Sequence, residues 1–398
     1  MKKNLFLKLT AILLMPLLLF SIPNVLAADT VPVNETAADD TAPVKDTLAL
    51  DCKSAILMEA STGRVLYEQN ADEALPPASV TKVMTLLLVM EAIESGKIKL
   101  DDMVTTSSRA ASMGGSQIYL EEGEQMSVED MIKSVVIASA NDAACALAEF
   151  VSGSEEEFVK AMNTRAKELG MTSAVFENTN GLDDTAENHV ISARDIAIMS
   201  SKLIGYEKIL EYSSIWMDTV RNGEFGLTNT NRLVRYYSGC TGLKTGSTSK
   251  AGFCISATAE RNGLSLVCVI MGAETRDIRN AAATRLLDWG FANYSVYTKE
   301  GEELDGISVT GGTQNTLKAK YNDFSCVTDK SLASKIEYKT ELPDTVTAPI
   351  KEEEKIGEVV FTCDGKEIGR ADIIATEEVK KIGYFDVWLR MLGKYLLK

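Results

Sequence analysis

Histidine and closely spaced cysteine, the usual side chains of structural zinc sites, are scarce in this chain. It has one histidine, His189, and seven cysteines (Cys52, Cys145, Cys240, Cys254, Cys268, Cys326 and Cys363) that nowhere come as C-x-x-C. The sequence therefore offers no zinc-ligand spacing, and neither a metal nor an organic cofactor is expected. Disulfides are not prescribed either, since an odd count leaves at least one thiol without an internal partner. Cys254 and Cys268 flank Asn262-Gly263, a two-residue hairpin signal that sets Cys254 opposite Met271 and Cys268 opposite Ala257. Their sulfurs then point to opposite faces of a sheet. Positive charge is short as well: 41 Lys and Arg against 57 Asp and Glu give a net charge of −16, a poor match to nucleic acid. No repeat of solenoid length is visible.

Long apolar runs are also few. The run from Leu9 to Ile22 is short for a bilayer span and lies between Lys2, Lys3 and Lys8 and the small-residue site Val25-Leu26-Ala27. That pattern reads as an export signal, residues 1–27, cut after Ala27, with a retained membrane helix as the alternative. Its removal takes three lysines and no acid, so the net charge falls from −16 to −19.

What remains is long and apolar enough for a substantial core, and for more than one domain. Residues 28–46, rich in Ala, Asp, Thr, Val and Pro, read as a solvated linker. Ser54–Glu59 and Val65-Leu66-Tyr67 around Ser61-Thr62-Gly63 predict a hairpin. Apolar spacing from Val83 to Ile93 predicts a helix that starts at Ser79 and stops near Gly96. Ser127 with Asp130, and Ser192 with Asp195, are capping signals for two more helices. Another is expected after Asn141, and a last one from Asn280 to Trp289 that ends at Gly290. From Tyr294 to about Glu378 the pattern turns to short alternating strands punctuated by Gly and Pro. Residues 379–398 place Phe385, Trp388, Leu389, Leu392, Tyr395 and Leu396 on one helical face, with Arg390, Lys394 and Lys398 off it. This tail is too short to span a bilayer and reads as a helix lying in a membrane interface; docking on the protein's own core is the alternative.

Chemistry enters through three short motifs in order: Ser79-Val80-Thr81-Lys82, Ser139-Ala140-Asn141 and Lys244-Thr245-Gly246. Together they form the signature of a serine acyl-transfer site. S-x-x-K alone is expected roughly once or twice in a chain of this size, and K-T-G on the order of 0.1 times. The chain supplies its own decoy in Ser247-Thr248-Ser249-Lys250. Residues i and i+3 on a first helical turn share a face, so Lys82 can reach Ser79 Oγ. A lysine serves as base only where burial or a neighbouring cation disfavours its charge, and Lys244 is placed to be that cation. His189 suggests a Ser-His-Asp triad, but it stands in a polar loop before the Ser192 cap and is not expected to react.

With Glu59-Ala-Ser-Thr-Gly-Arg-Val-Leu-Tyr, Pro77-Ala-Ser-Val-Thr-Lys, Gly242-Leu-Lys-Thr-Gly and Leu286-Leu-Asp-Trp-Gly-Phe, the chain resembles the low-molecular-mass penicillin-binding proteins. More narrowly it resembles serine-type D-alanyl-D-alanine carboxypeptidases of the peptidase S11 type. The resemblance implies an α/β (α+β) fold: a β-lactamase-like DD-peptidase domain over residues 47–293, with an antiparallel sheet flanked by helices, and a small β-rich domain over 294–378. It implies Ser79 as nucleophile, Lys82 as its base and Ser139 as proton relay. Backbone N–H groups of Ser79 and Ser247 would form the oxyanion hole, Asn141 would hold a substrate amide, and Lys244, Thr245 and Arg279 would engage a terminal carboxylate, with Gly246 completing the motif. The implied partners are stem peptides ending in D-Ala-D-Ala, β-lactams as inhibitors and, through the tail, the outer face of a bacterial cytoplasmic membrane.

Two features separate the alternatives. Glu177 lies 38 residues past Ser139, roughly where class A β-lactamases keep a deacylating glutamate, but Glu177-Asn178-Thr179-Asn180-Gly181-Leu182 lacks the E-x-x-L-N context. It is expected to be a solvated loop residue, which disfavours a β-lactamase-type hydrolase. A catalytically weak wall-sensing module is the other alternative, disfavoured by the intact reactive residues. The relatives' usual glycine is Ala140 here.

Overall fold

The computed structural model describes residues 44–45, 48–183 and 186–396; the segment read as an export signal, most of that read as a linker and the last two residues lie outside that range. A six-stranded sheet runs in the order Val44–Lys45, Val65–Gln69, Ser54–Glu59, Leu264–Ala273, Gly252–Arg261, Cys240–Thr248. All neighbours are antiparallel except the first pair, where Val44 and Lys45, at the end of the segment read as linker, lie parallel to Tyr67 and Glu68. The K-T-G motif therefore sits on an edge strand.

Alternation along these strands divides the core in two. Ile56, Met58, Val267, Val269 and Met271 face a helical layer that includes Lys82–Glu94, Val128–Ile137, Asn141–Ser152 and Ala193–Ile204. Leu57, Leu266, Cys268 and Ile270 face the helix Arg276–Asn293 on the other side. The hairpin turns at Asn262 and Gly263, both with positive φ (52° and 76°), as a two-residue loop of this kind requires. Cys268 pairs with Ala257 as expected, whereas the register shifts between Ile270 and Ala273, so Cys254 meets a bulge instead of a simple pair with Met271. The two thiols lie in different halves of the core, and all seven cysteines are free.

The helix expected from Ser79 begins as a 3-10 turn, Ala78–Thr81, and becomes α-helical at Lys82. Ser127 and Ser192 cap as anticipated, their Oγ atoms accepting from the N–H of Asp130 and Asp195 at 3.1 Å. The helix expected over Asn280–Trp289 is longer at both ends. Thr275 caps it, its Oγ1 accepting from Ile278 N, and it continues through Gly290 to Asn293. Gly290 is not a stop signal: a Cβ there would lie 2.6 Å from Leu57 and 2.9 Å from Leu266, so the missing side chain lets helix and sheet approach. The helix Glu155–Glu168, not anticipated above, is capped by Ser154, whose Oγ accepts from Glu157 N at 3.2 Å, and buries Phe158, Met162 and Ala166 at helical spacing.

Beyond Tyr294 the chain forms a two-stranded pair (Tyr294–Lys299 with Phe324–Asp329) and a second six-stranded sheet. Phe324 and Phe361 stack at 3.9 Å in its core. Arg64 Nη1 donates to Val327 O at 2.6 Å, tying the first hairpin to this module. The helix Tyr384–Leu396 closes the chain, and no helix among the described residues is long and apolar enough to cross a membrane.

Candidate active site

The first motif lies on a strained turn. Ala78 has φ +49°, in the left-handed region that a residue with a Cβ rarely adopts, and Ser79 follows it half-buried. Lys82, fully buried one turn on, donates from Nζ to Ser79 Oγ and to the main-chain oxygen of Asn180, each at 2.9 Å. Burial, then the charge of Lys244, hold the Lys82 ammonium well below the ordinary lysine range, with Asp142 opposing them. An amine that readily stays neutral, in contact with a hydroxyl, can take that hydroxyl's proton.

Ser139 occupies the break between Val128–Ile137 and Asn141–Ser152, also in the left-handed region at φ +63°. Its Oγ accepts from Lys244 Nζ at 2.9 Å. Lys244, fully buried on the edge strand, also donates to Thr245 O at 2.9 Å; burial and the nearby Arg279 bring its pKa down to about 7. Asn141 donates from its backbone N–H to Ser116 O at 2.7 Å and from Nδ2 to Gly114 O at 2.6 Å. Its Oδ1 is buried and accepts no hydrogen bond from the described residues. An unsatisfied buried acceptor is costly, and a ligand N–H would relieve it.

Gly246 is where the edge strand meets the serine turn. A Cβ there would lie 2.7 Å from Ser79 N and 2.9 Å from Pro77 O, so only glycine permits this approach. Thr245 Oγ1 donates to Thr230 Oγ1 at 2.8 Å, and Ser247, the next residue, is exposed. Arg279 is 3 % exposed, donates from Nε and Nη2 to Asn280 Oδ1 at 3.1 and 2.8 Å, and is lowered to about 10 by burial and then by Arg276.

The structure thus joins Ser79 to Lys82, Ser139 to Lys244 and Gly246 to the Ser79 turn, with Arg279 close enough to Lys244 to act on its charge. It leaves other candidates apart. Lys250 of the decoy motif is exposed and reaches Glu187 O at 3.4 Å. Glu177 is exposed, its Oε2 accepting from Asn188 N at 3.2 Å. His189 is buried; Nδ1 accepts from Glu177 N at 3.1 Å, so the proton sits on Nε2 and is donated to Thr81 Oγ1 at 2.8 Å. Burial depresses its pKa to about 4, which keeps it neutral.

Sequence reasoning missed the acceptor oxygen of Asn180 and the buried Asp142. Both Asp142 oxygens accept from Ile118 N (3.2 and 3.1 Å), and Oδ2 also accepts from Leu120 N at 3.1 Å. A main-chain carbonyl has no residue-type signal, and Asp142 reads as an ordinary first-turn acid.

Comparison with known proteins identifies the family that the motifs resemble. The family model described as D-alanyl-D-alanine carboxypeptidase matches residues 39–275, and that of the penicillin-binding protein 5 C-terminal domain matches residues 291–381. The chain is 42% identical to D-alanyl-D-alanine carboxypeptidase DacF of Bacillus subtilis over 87% of this chain and 91% of the relative. It is 35% identical to DacC of Escherichia coli, over 87% and 89%. Penicillin-binding protein 5 from Haemophilus influenzae superposes with a TM-score of 0.69 at 32% identity, covering 83% of this chain and 98% of that structure. Penicillin-binding protein D2 from Listeria monocytogenes in its ampicillin-bound form gives 0.57 at 34%, covering 62% and 100%. On this similarity the chain belongs to the D-alanyl-D-alanine carboxypeptidase family.

Proposed function

We propose that this enzyme removes the terminal D-alanine from peptidoglycan stem peptides through an acyl-enzyme on Ser79. Lys82 takes the Ser79 proton, and Oγ attacks the carbonyl between the two D-alanines. Backbone N–H groups of Ser79 and Ser247 receive the developing oxyanion. Ser139, bonded to Lys244, passes a proton to the leaving amine; water then cleaves the ester. Asn141 Oδ1 accepts a substrate amide N–H, while Lys244, Thr245 and Arg279 hold the terminal carboxylate.

The observation that carries this reading is the 2.9 Å contact between Ser79 Oγ and a fully buried lysine amine. The same nucleophile would open a β-lactam ring. Release of that acyl group should be slow, because Glu177, the one glutamate considered as a deacylating base, is exposed and held by Asn188. Fast penicillin turnover would instead favour a β-lactamase-type hydrolase.

The domain limits follow the same reading: a signal peptide over 1–27, a linker over 28–46, a catalytic domain over 47–293, a β-rich module over 294–378 and a membrane-anchoring tail over 379–398. Support for the tail comes from its exposed apolar side chains: Tyr384 (91 %), Phe385 (68 %), Trp388, Leu389 and Met391. Arg390 meanwhile donates to Gly312 O, Thr313 O and Asn315 Oδ1, which holds the helix against the β-rich module. An exported enzyme held at the outer membrane face would meet its substrate there.

The test is mass spectrometry of the purified protein with a diacyl-D-Ala-D-Ala peptide and, separately, with penicillin. Free D-alanine from the peptide and a stable penicillin adduct on Ser79 are expected; modification without D-alanine release would point to a wall-sensing module.

A further inference from the structure

Among the described residues Lys82 has two acceptors, and only one belongs to its own motif. The second, Asn180 O, lies on a loop 98 residues away in sequence. Asn180 donates its N–H to Asn178 Oδ1 at 3.3 Å and accepts at Oδ1 from Leu182 N at 2.9 Å, and the residue before it is anchored as well. Thr179 is fully buried and gripped from two sides. Its main-chain oxygen accepts from Thr85 Oγ1 at 2.6 Å, and its own Oγ1 donates to Glu155 Oε1 at 2.8 Å. Thr85 follows Lys82 by three residues and shares its helical face. One face of the helix thus binds two successive carbonyls of the loop, Thr179 through Thr85 and Asn180 through Lys82. Glu155, itself buried, accepts at Oε2 from Arg109 Nε and Nη2 at 3.2 and 3.0 Å, which pairs its charge.

None of Thr85, Thr179 and Glu155 has a part in the proposed reaction, yet all three meet at the residue next to the carbonyl that accepts from the base. We propose that they form a positioning clamp which holds the Asn180 carbonyl in place and so aims the Lys82 amine at Ser79 Oγ. The inference rests on the reading of Ser79 as nucleophile and Lys82 as its base. A lysine on a four-carbon stem has many rotamers, and a fixed second acceptor selects the one that touches the hydroxyl. An accepting carbonyl favours the charged form of the amine; burial and then Lys244 on the edge strand oppose that form, and Asp142 on the helix Asn141–Ser152 supports it.

The test compares Thr179→Val, which removes the hydroxyl at equal size, with Thr179→Ser, which keeps it, and includes Thr85→Val and Ser79→Ala. Acylation of the full chain by penicillin is followed by intact-protein mass spectrometry across pH, with a thermal melt of each variant. Thr179→Val and Thr85→Val should acylate about 10- to 100-fold more slowly at the plateau, as a misplaced catalytic group does. Their acid limb should move to lower pH, because a loosened carbonyl no longer favours the ammonium; Thr179→Ser should restore both rate and limb. The clamp is refuted if Thr179→Val acylates like the parent. It is equally refuted if the rate falls by one factor at every pH and serine does not restore it. An adduct on Ser79→Ala would overturn the underlying reading instead, whereas a clean loss there beside a parent-like Thr179→Val would overturn the clamp alone.

Discussion

Gly246 and Ser79 touch through their backbones: a methyl group added to the glycine would sit 2.7 Å from the serine nitrogen. That nitrogen is one of the two N–H groups proposed to receive the oxyanion. Gly246→Ala must therefore push the edge strand away from the serine turn, and donors aimed at developing charge tolerate little displacement. The expected result is a loss of about 10²-fold or more in kcat/KM, as for removal of an oxyanion donor. Because the strand lies at the sheet edge, thermal melts should show a folded protein. A variant with parental kcat/KM would exclude any need for this contact.

Lys244 sets the expected alkaline limit. Its pKa of about 7 means that it loses the charge proposed to hold the substrate carboxylate as pH rises through neutrality. Lys82, lowered mainly by burial, must be neutral to act, and protonation at lower pH removes the base. The profile of kcat/KM against pH should be a bell, with apparent values that belong to the coupled pair. Lys244→Arg keeps a cation that stays charged well above neutral pH, as the buried Arg279 does, and should move the alkaline limb far upward while lowering the maximum. An alkaline limb unchanged in this variant would assign it to another group.

The same buried lysine sets function against stability. A lysine whose folded pKa lies below its unfolded value of 10.5 must shed a proton on folding, or hold it in a dry site. The unfolded chain binds more protons between the two values, so in that window stability rises with pH, and the full penalty applies below the folded pKa. Lys82→Met, similar in length and uncharged, should abolish acylation yet raise stability at pH 6 by on the order of a few kcal/mol. The gain should shrink toward zero above about pH 10.5, where the unfolded lysine is neutral too. Urea melts at pH 6 and at pH 10.5 measure it, and a variant equally stable or weaker at pH 6 contradicts the argument.

Much of this arrangement was legible because it rests on local chemistry. Lys82 follows Ser79 by three residues, and the caps at Ser127 and Ser192 are set by hydrogen bonds within one turn. Asn262-Gly263 fixed the hairpin that carries the K-T-G strand's neighbour. The bulge opposite Cys254 and the continuation of a helix through Gly290 were not legible, since both arise from contacts between distant segments. The left-handed backbone at Ala78 and Ser139 was hidden for a related reason: neither residue type announces it, and the surrounding packing imposes it. The Asn180 carbonyl was invisible because a main-chain oxygen belongs to every residue equally.

The tail offers the clearest separation of two readings. A helix docked on its own domain buries its aromatic residues, but Phe385 and Trp388 stack on one another and stay exposed, while Arg390 on the same helix reaches back to the carbonyls of Gly312 and Thr313. Arg390 thus ties the helix to the β-rich module while Phe385 and Trp388 stay open, the arrangement that the proposed interfacial helix needs. Replacing both Phe385 and Trp388 by Glu should leave penicillin acylation in solution unchanged, because their helix is tied to the β-rich module at Gly312 and Thr313 and supplies no residue to the site. It should weaken sedimentation with vesicles containing anionic lipid by about 10-fold or more, given the apolar area removed and the negative charge added. Equal binding by the parent and this double variant would return the tail to a purely structural role in closing the β-rich module.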